Sequence, residues 1–363
     1  MKRFQDILKN KKAISMNPAR EKYLRIVRAA LWDTACTDEV TEDVLEIAKQ
    51  QSTLGSVCCF SDDPGCRQEL VRLICDHERT NAVLAEVIEL LRSEGVECVL
   101  LKGQGCAAYY SQPMLRECGD IDLYVGEDNY ERAGKILLQK LNRGSCASVN
   151  EQFSIKYRNV PIELHIGCNV LAGLRYDYRK YEKDAVENPV PVKVGEYTVN
   201  TLADEFNVLF IFVHFFKHFL FTGIGMRQIC DWTMLLHRKY GLLDVELLGQ
   251  WLKTLGLMED WKVFGCMVVN YLGLPAEEMP FYDDSCKRQA GKVLDRIFET
   301  GNFGTNISDE NNTSGNVFLG KLTLLKTVTK NFFAVVRIFP GRSIRNYHLL
   351  VRYGIGQIVR RIL

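Results

Sequence analysis

Between Val96 and Gly126 the chain reads VECVLLKGQGCAAYYSQPMLRECGDIDLYVG, and this stretch constrains the fold more tightly than any other. Val96 to Leu101 is a short apolar run with β-branched members, the pattern of a buried strand. Lys102-Gly103-Gln104-Gly105 interrupts it, since glycine permits positive φ and close backbone approach, and Cys106 to Tyr110 suits a helix opening from that turn. A helix start of this kind points free N–H groups outward, a place for phosphate. Further on, Ile121, Leu123 and Val125 alternate with Asp120, Asp122 and Tyr124. Side chains two apart on a strand share a face, so the two carboxylates project together.

Adjacent carboxylates repel unless a cation lies between them. A divalent metal is the expected cation, and hard oxygen ligands favour Mg²⁺ or Mn²⁺. An isolated Asp-x-Asp is more often a solvated strand edge. Here the strand, glycine turn and helix start one supersecondary unit upstream favour a metal strand. The combination resembles the nucleotidyltransferase signature of the DNA polymerase β superfamily. More closely, the LLKG, YY, P, R and GDIDLYV elements are similar to a family of bacterial uncharacterised nucleotidyltransferases. Two departures stand out: Gln104 replaces the Ser or second Gly that usually follows the first glycine, and the gap from Gly103 to Asp120 is longer than usual.

The resemblance implies an α/β (α+β) fold with a small mixed sheet, N-terminal helices and a C-terminal helical domain. It also implies a two-metal site, Mg²⁺ or Mn²⁺, on Asp120 and Asp122, completed by a third carboxylate on a neighbouring strand. Glu163 in PIELHIG matches that position, with His165 on the same strand face as an orienter or acceptor contact. The implied reaction is transfer of a nucleotidyl group from an NTP, ATP being the expected donor, to an acceptor, small molecule or protein, with pyrophosphate leaving. The turn Lys102, Gly103, Gln104 and Gly105 is expected to hold the β and γ phosphates, with Lys102 or Arg116 adding charge. Two alternatives stand beside this one. One is a nucleotide-binding or scaffolding protein of the same fold without turnover, which Gln104 favours and the three carboxylates oppose. The other is a metal-dependent nuclease or phosphatase.

The remaining sequence is read in order. A polar helix precedes Asp38, Glu39 to Gln50 forms another, and Pro64-Gly65 punctuates before a long helix from about Arg67 to Ser93. His77 and Asn81 lie on the apolar seam of that helix and are read as core contacts. Asp128 to Leu141 is helical. Phe153 to Ile166 alternates around Asn159 as a hairpin, and Pro189 to Val199 forms a second around Gly195, giving about five strands in all. From Leu202 to Thr300 five helices follow, separated by glycines. His214 and His218 share a face there, as do Arg227 and Asp231, which are expected to pair or to face the cleft. The segments are 1–94 helical, 95–200 core, 201–300 helical, 301–315 linker and 316–363 tail.

Charge is uneven. After Glu310 there are nine Lys or Arg and no acidic residue, so the rest holds 37 basic against 45 acidic side chains. That tail, with apolar members such as Leu322, Leu325, Phe332, Phe333 and Leu349, is expected to dock on the acidic body rather than on lipid or nucleic acid. No apolar run is long enough to span a membrane, and no secretory leader opens the chain, which points to the cytosol. The 13 cysteines include no C-x-x-C and lie mostly in apolar segments, as core residues do.

Overall fold

The computed structural model describes residues 17–141, 146–147, 153–168, 175–304, 329, 331–345 and 348. Its first helices are α1 (Pro18–Leu31), α2 (Glu42–Gln51), α3 (Leu54–Cys58) and α4 (Pro64–Ser93). The long helix begins earlier than the punctuation at Pro64-Gly65 suggests. Pro64 occupies its first turn, where a missing N–H costs nothing, and Asp63 caps it by accepting from Gly65 N–H at 2.8 Å.

Strand β1 (Val99–Leu100) leads into the short α5 (Gln104–Ala107), then β2 (Ile121–Tyr124) and α6 (Glu127–Leu141). Then follow β3 (Cys146–Ala147), β4 (Phe153–Tyr157), β5 (Val160–His165), α7 (Arg175–Glu187), β6 (Val190–Val194) and β7 (Tyr197–Thr201). The strands form one mixed sheet in the order β3-β4-β5-β2-β1-β7-β6. Among the described residues it therefore has seven strands rather than about five. The additional edge strand β3 is two residues long, too short to show alternation in sequence. Both expected hairpins form: β4–β5 turns through Arg158 and Asn159, both at positive φ, and β6–β7 turns through Gly195.

One sheet face is dry. Leu100, Ile121, Leu123, Ile162 and Leu164 bury against Val83, Val87 and Leu91 of α4 and Ala133 and Leu137 of α6. The opposite face carries Asp122, because alternation sends it away from Ile121 and Leu123. It faces a helical body: α8 (Asp204–Phe221), α9 (Met226–Lys239), α10 (Val245–Thr254), α11 (Met258–Met267) and α12 (Lys287–Thr300). Phe212, Phe215, Phe216, Trp232, Trp261 and Phe264 pack edge-on and stacked at its centre. Helices from the N-terminal part join the same core: Tyr23 lies edge-on to Phe298, and Trp32 Nε1 donates to the Leu272 carbonyl at 2.7 Å.

Residues 331–345 also dock on this body. Val335, Ile338 and Phe339 are buried, and the Phe339 ring stacks on Phe264 with an interplanar angle of 5°. Arg342 pairs with Asp260, and Asn331 donates to the Phe219 carbonyl at 2.9 Å. Phe333 stays exposed, while Leu322, Leu325, Leu349 and most of the 301–315 segment lie outside the described residues. No helix among the described residues is long and apolar enough to cross a membrane.

Candidate active site

Strands β2 and β5 run parallel in a register that sets Asp122 beside Glu163 and Tyr124 beside His165. Side chains alternate along both strands, so Glu163 and His165 emerge on the face that carries Asp122. His165 Nε2 lies 2.8 Å from Asp122 Oδ1 and 3.8 Å from Glu163 Oε2. One ligand atom from each of the three residues falls within 4.8 Å of the others, and this is the one such group found among the described residues. Asp120, just ahead of β2, extends the acidic row toward the glycine turn.

A cation already sits beside the aspartates. Lys102, the second residue after β1, places Nζ 3.0 Å from Asp122 Oδ2 and 3.7 Å from Asp120 Oδ2. The electrostatics follow from burial and these neighbours. Burial opposes charge on Asp122, yet Lys102 and His165 outweigh it and hold the carboxyl below its ordinary range. Burial likewise opposes charge on Lys102, and Asp122 and Asp120 still hold the ammonium above its usual range. Glu163 goes the other way: burial first, then the charges of Asp120 and Asp122, push it up.

The glycine turn is built for close approach. Gly103 has φ +62°, and a Cβ there would lie 3.0 Å from the Asp120 carbonyl oxygen, so the turn rests on the segment leading into β2. The N–H groups of Cys106 and Ala107 are taken by the Gly103 carbonyl, and that of Gly105 by the Lys102 carbonyl at 3.2 Å. Gly105 packs inward against Leu100. The side chain of Gln104 is buried, donating to Asn81 Oδ1 and lying 3.4 Å from His77 Nε2, so it ties the turn to α4. His77 and Asn81 are thus core contacts, and the departure at Gln104 has a structural use.

Arg116 is also buried, and both its Nε and Nη2 donate to Asp231 of α9, at 2.7 and 2.9 Å. Tyr110 adds a third donor to that carboxylate at 2.8 Å. Asp231 is therefore engaged by Arg116 rather than by Arg227 one turn away. His214 and His218 stack edge-on in α8; burial, and behind it Lys102 and neighbouring charges, keeps both imidazoles neutral, His218 down to about 4. Tyr110 is the participant that sequence reasoning did not single out. Its tyrosine pair enters the sequence analysis only as part of a helix start and of the family-like motif, and only the fold brings Asp231 to it.

Residues 67–262 match a family model described as an uncharacterised nucleotidyltransferase, more than half of the chain. The chain belongs to that nucleotidyltransferase family. A solved structure of an antigenic nucleotidyltransferase-like protein from Paracoccidioides brasiliensis is similar at 11% identity and a TM-score of 0.34, over 53% of this chain and 92% of that one. The chain matches none of the curated proteins. In this chain the donor set suits a divalent cation: two carboxylates and an imidazole converge, and the buried Asp122 Oδ2 has Lys102 as its charged partner.

Proposed function

We propose that the protein transfers a nucleotidyl group from an NTP, with ATP the expected donor, to a hydroxyl, amine or phosphate of a small-molecule or protein acceptor. The reading is carried by one observation, the parallel register of Asp122 and Glu163 with Lys102 and Gly103 just past the end of the adjoining strand β1. Asp120 and Asp122 would hold the Mg²⁺ or Mn²⁺ that binds the triphosphate, and Glu163, sharing an aspartate, the second. When bound, such ions neutralise charge at the transferring phosphorus and favour departure of pyrophosphate.

The protein's own residues have separable tasks. His165 fixes the rotamer of Asp122 through its 2.8 Å contact, so one carboxylate oxygen is directed while the other faces Lys102, whose place a metal ion would take. Lys102 balances the aspartates and would turn its ammonium to a phosphate once a metal ion takes over that role. Gly103 and Gln104 offer the backbone N–H groups that the turn itself does not use. Arg116, locked to Asp231, joins the site as a fixed wall rather than a mobile clamp. A reading without turnover stays open beside this one, since Gln104 anchors the turn to α4 in place of the usual Ser or Gly.

Binding of Mg²⁺–ATP by calorimetry tests this reading, together with Mn²⁺ binding by electron paramagnetic resonance. The Asp120→Ala, Asp122→Ala double variant should keep its circular dichroism spectrum and lose divalent-dependent nucleotide binding. Undiminished binding in that variant, or binding indifferent to divalent ions, would rule the site out.

A further inference from the structure

Helix α9 brings a second guanidinium to the edge of the site. Arg227 Nη1 donates to the Glu117 carbonyl at 3.2 Å, whereas its Nε is buried and has no hydrogen-bond partner among the described residues. The carboxylates around it are committed elsewhere. Asp231 gives both oxygens to Arg116, and Glu117 Oε1 accepts from the Leu54 N–H at 2.7 Å. Burial, and then the neighbouring Arg116 charge, pushes the Arg227 guanidinium below its ordinary range. A guanidinium presents five N–H donors in a rigid fork and keeps its charge. Holding one in the interior beside another, with a single backbone acceptor, works against stability unless a partner arrives.

Arg227 lines a cavity of about 50 Å³ with Lys102, Gly103, Arg116, Asp120 and His214. A space of this size takes a small polar group. Of the three cations that line it, Lys102 is paired with Asp122 and Asp120 and Arg116 with Asp231, which leaves Arg227 as the one with no carboxylate in hydrogen-bond contact among the described residues, and His214 there is neutral. We propose that the cavity is an oxyanion site in which Arg227 is the principal anchor of a phosphate group. The class of ligand rests on the nucleotidyl-transfer reading; the need for an anion rests on Arg227 alone. The phosphate comes either from the end of the donor's triphosphate or from a phosphorylated acceptor.

The test uses the full chain without nucleoside, divalent ion or turnover. Calorimetry with tripolyphosphate and with inorganic phosphate is compared for the wild type, Arg227→Met and Arg227→Lys. The wild type should bind tripolyphosphate or phosphate, and Arg227→Met should lose roughly tenfold or more in affinity, with Arg227→Lys between them. Because the methionine removes a poorly partnered charge, the ligand-free variant should melt at the same temperature as the wild type or higher. Equal affinity in wild type and Arg227→Met, or no binding by the wild type, overturns the proposal. So does a lower ligand-free melting temperature or loss of folding in Arg227→Met, which would make Arg227 a structural strut. Competition between tripolyphosphate and ATP assigns the phosphate to the donor; simultaneous binding of phosphate and ATP assigns it to the acceptor. If nucleotidyl transfer fails while polyphosphate binding persists, the fault lies with the reaction and not with this site.

Discussion

Replacing Lys102 with methionine removes the ammonium beside Asp120 and Asp122 while keeping most of its length. At an effective dielectric near 20, attraction across 3.0 Å to Asp122 is about 5.5 kcal/mol, and across 3.7 Å to Asp120 about 4.5 kcal/mol. Desolvation of the buried ammonium offsets much of this, and breaking a buried pair leaves a net loss of about 3–5 kcal/mol. For a chain of 363 residues that corresponds to a fall of about 4–7 °C in melting temperature in EDTA. The two carboxylates are then left without their counter-ion, so a divalent ion should bind more tightly than in the wild type. At a hundred times its dissociation constant, Mn²⁺ would restore about 2.7 kcal/mol. Differential scanning calorimetry with and without MnCl₂ measures both effects. A Lys102→Met protein that melts like the wild type in EDTA, or gains no more from Mn²⁺ than the wild type does, refutes the electrostatic account of the site.

Glu163→Gln should show the opposite sign. The Glu163 carboxyl titrates above its ordinary value in the folded protein, so ionising it costs stability at neutral pH; that cost vanishes as the pH falls below the usual carboxylate range. In EDTA the variant should melt above the wild type at pH 7–8 and converge with it at acid pH, and coincident curves at pH 7 would count against the cluster. Asp122 should behave in reverse, its folded form being held low: its contribution is present at neutral pH and is lost only as acid protonates it. At the far side of the body, Phe339→Ala removes a ring packed on Phe216, Phe219 and Phe264 and should cost about 3–5 kcal/mol with increased dye binding. An unchanged melting temperature would mean that residues 331–345 do not hold to the body in solution.

The sheet face of the site was legible because a period of two leaves little freedom. Once Ile121, Leu123, Ile162 and Leu164 are buried, Asp122 and Glu163 must share the other face, and the parallel register brings them level. The hairpins were legible for the same reason. The partners of the polar residues were not, since these depend on contacts distant in sequence. Gln104 reaches Asn81 and His77 on α4, and Arg116 reaches Asp231 on α9, pairings that no local pattern encodes. Lys102 reads as a turn residue that adds charge to the phosphates, and only when β1 and β2 are paired does its ammonium meet both aspartates. Helix α7 escaped notice because its buried stripe, Tyr178 and Ala185, is interrupted by Glu182, which accepts from the Cys168 N–H at 3.0 Å. A charged residue in the apolar phase masks a helical period.

Nucleotidyl transfer is tested most directly by the fate of a label on the donor. The purified protein, Mg²⁺ or Mn²⁺ and a panel of NTPs labelled at either the α or the γ phosphorus are incubated with cell-extract acceptors and with the protein itself. The account predicts that α label becomes attached to an acceptor, that γ label leaves as pyrophosphate, and that both events disappear in Asp122→Asn. Transfer of the γ label to an acceptor, or release of γ label as inorganic phosphate without α transfer, would contradict it.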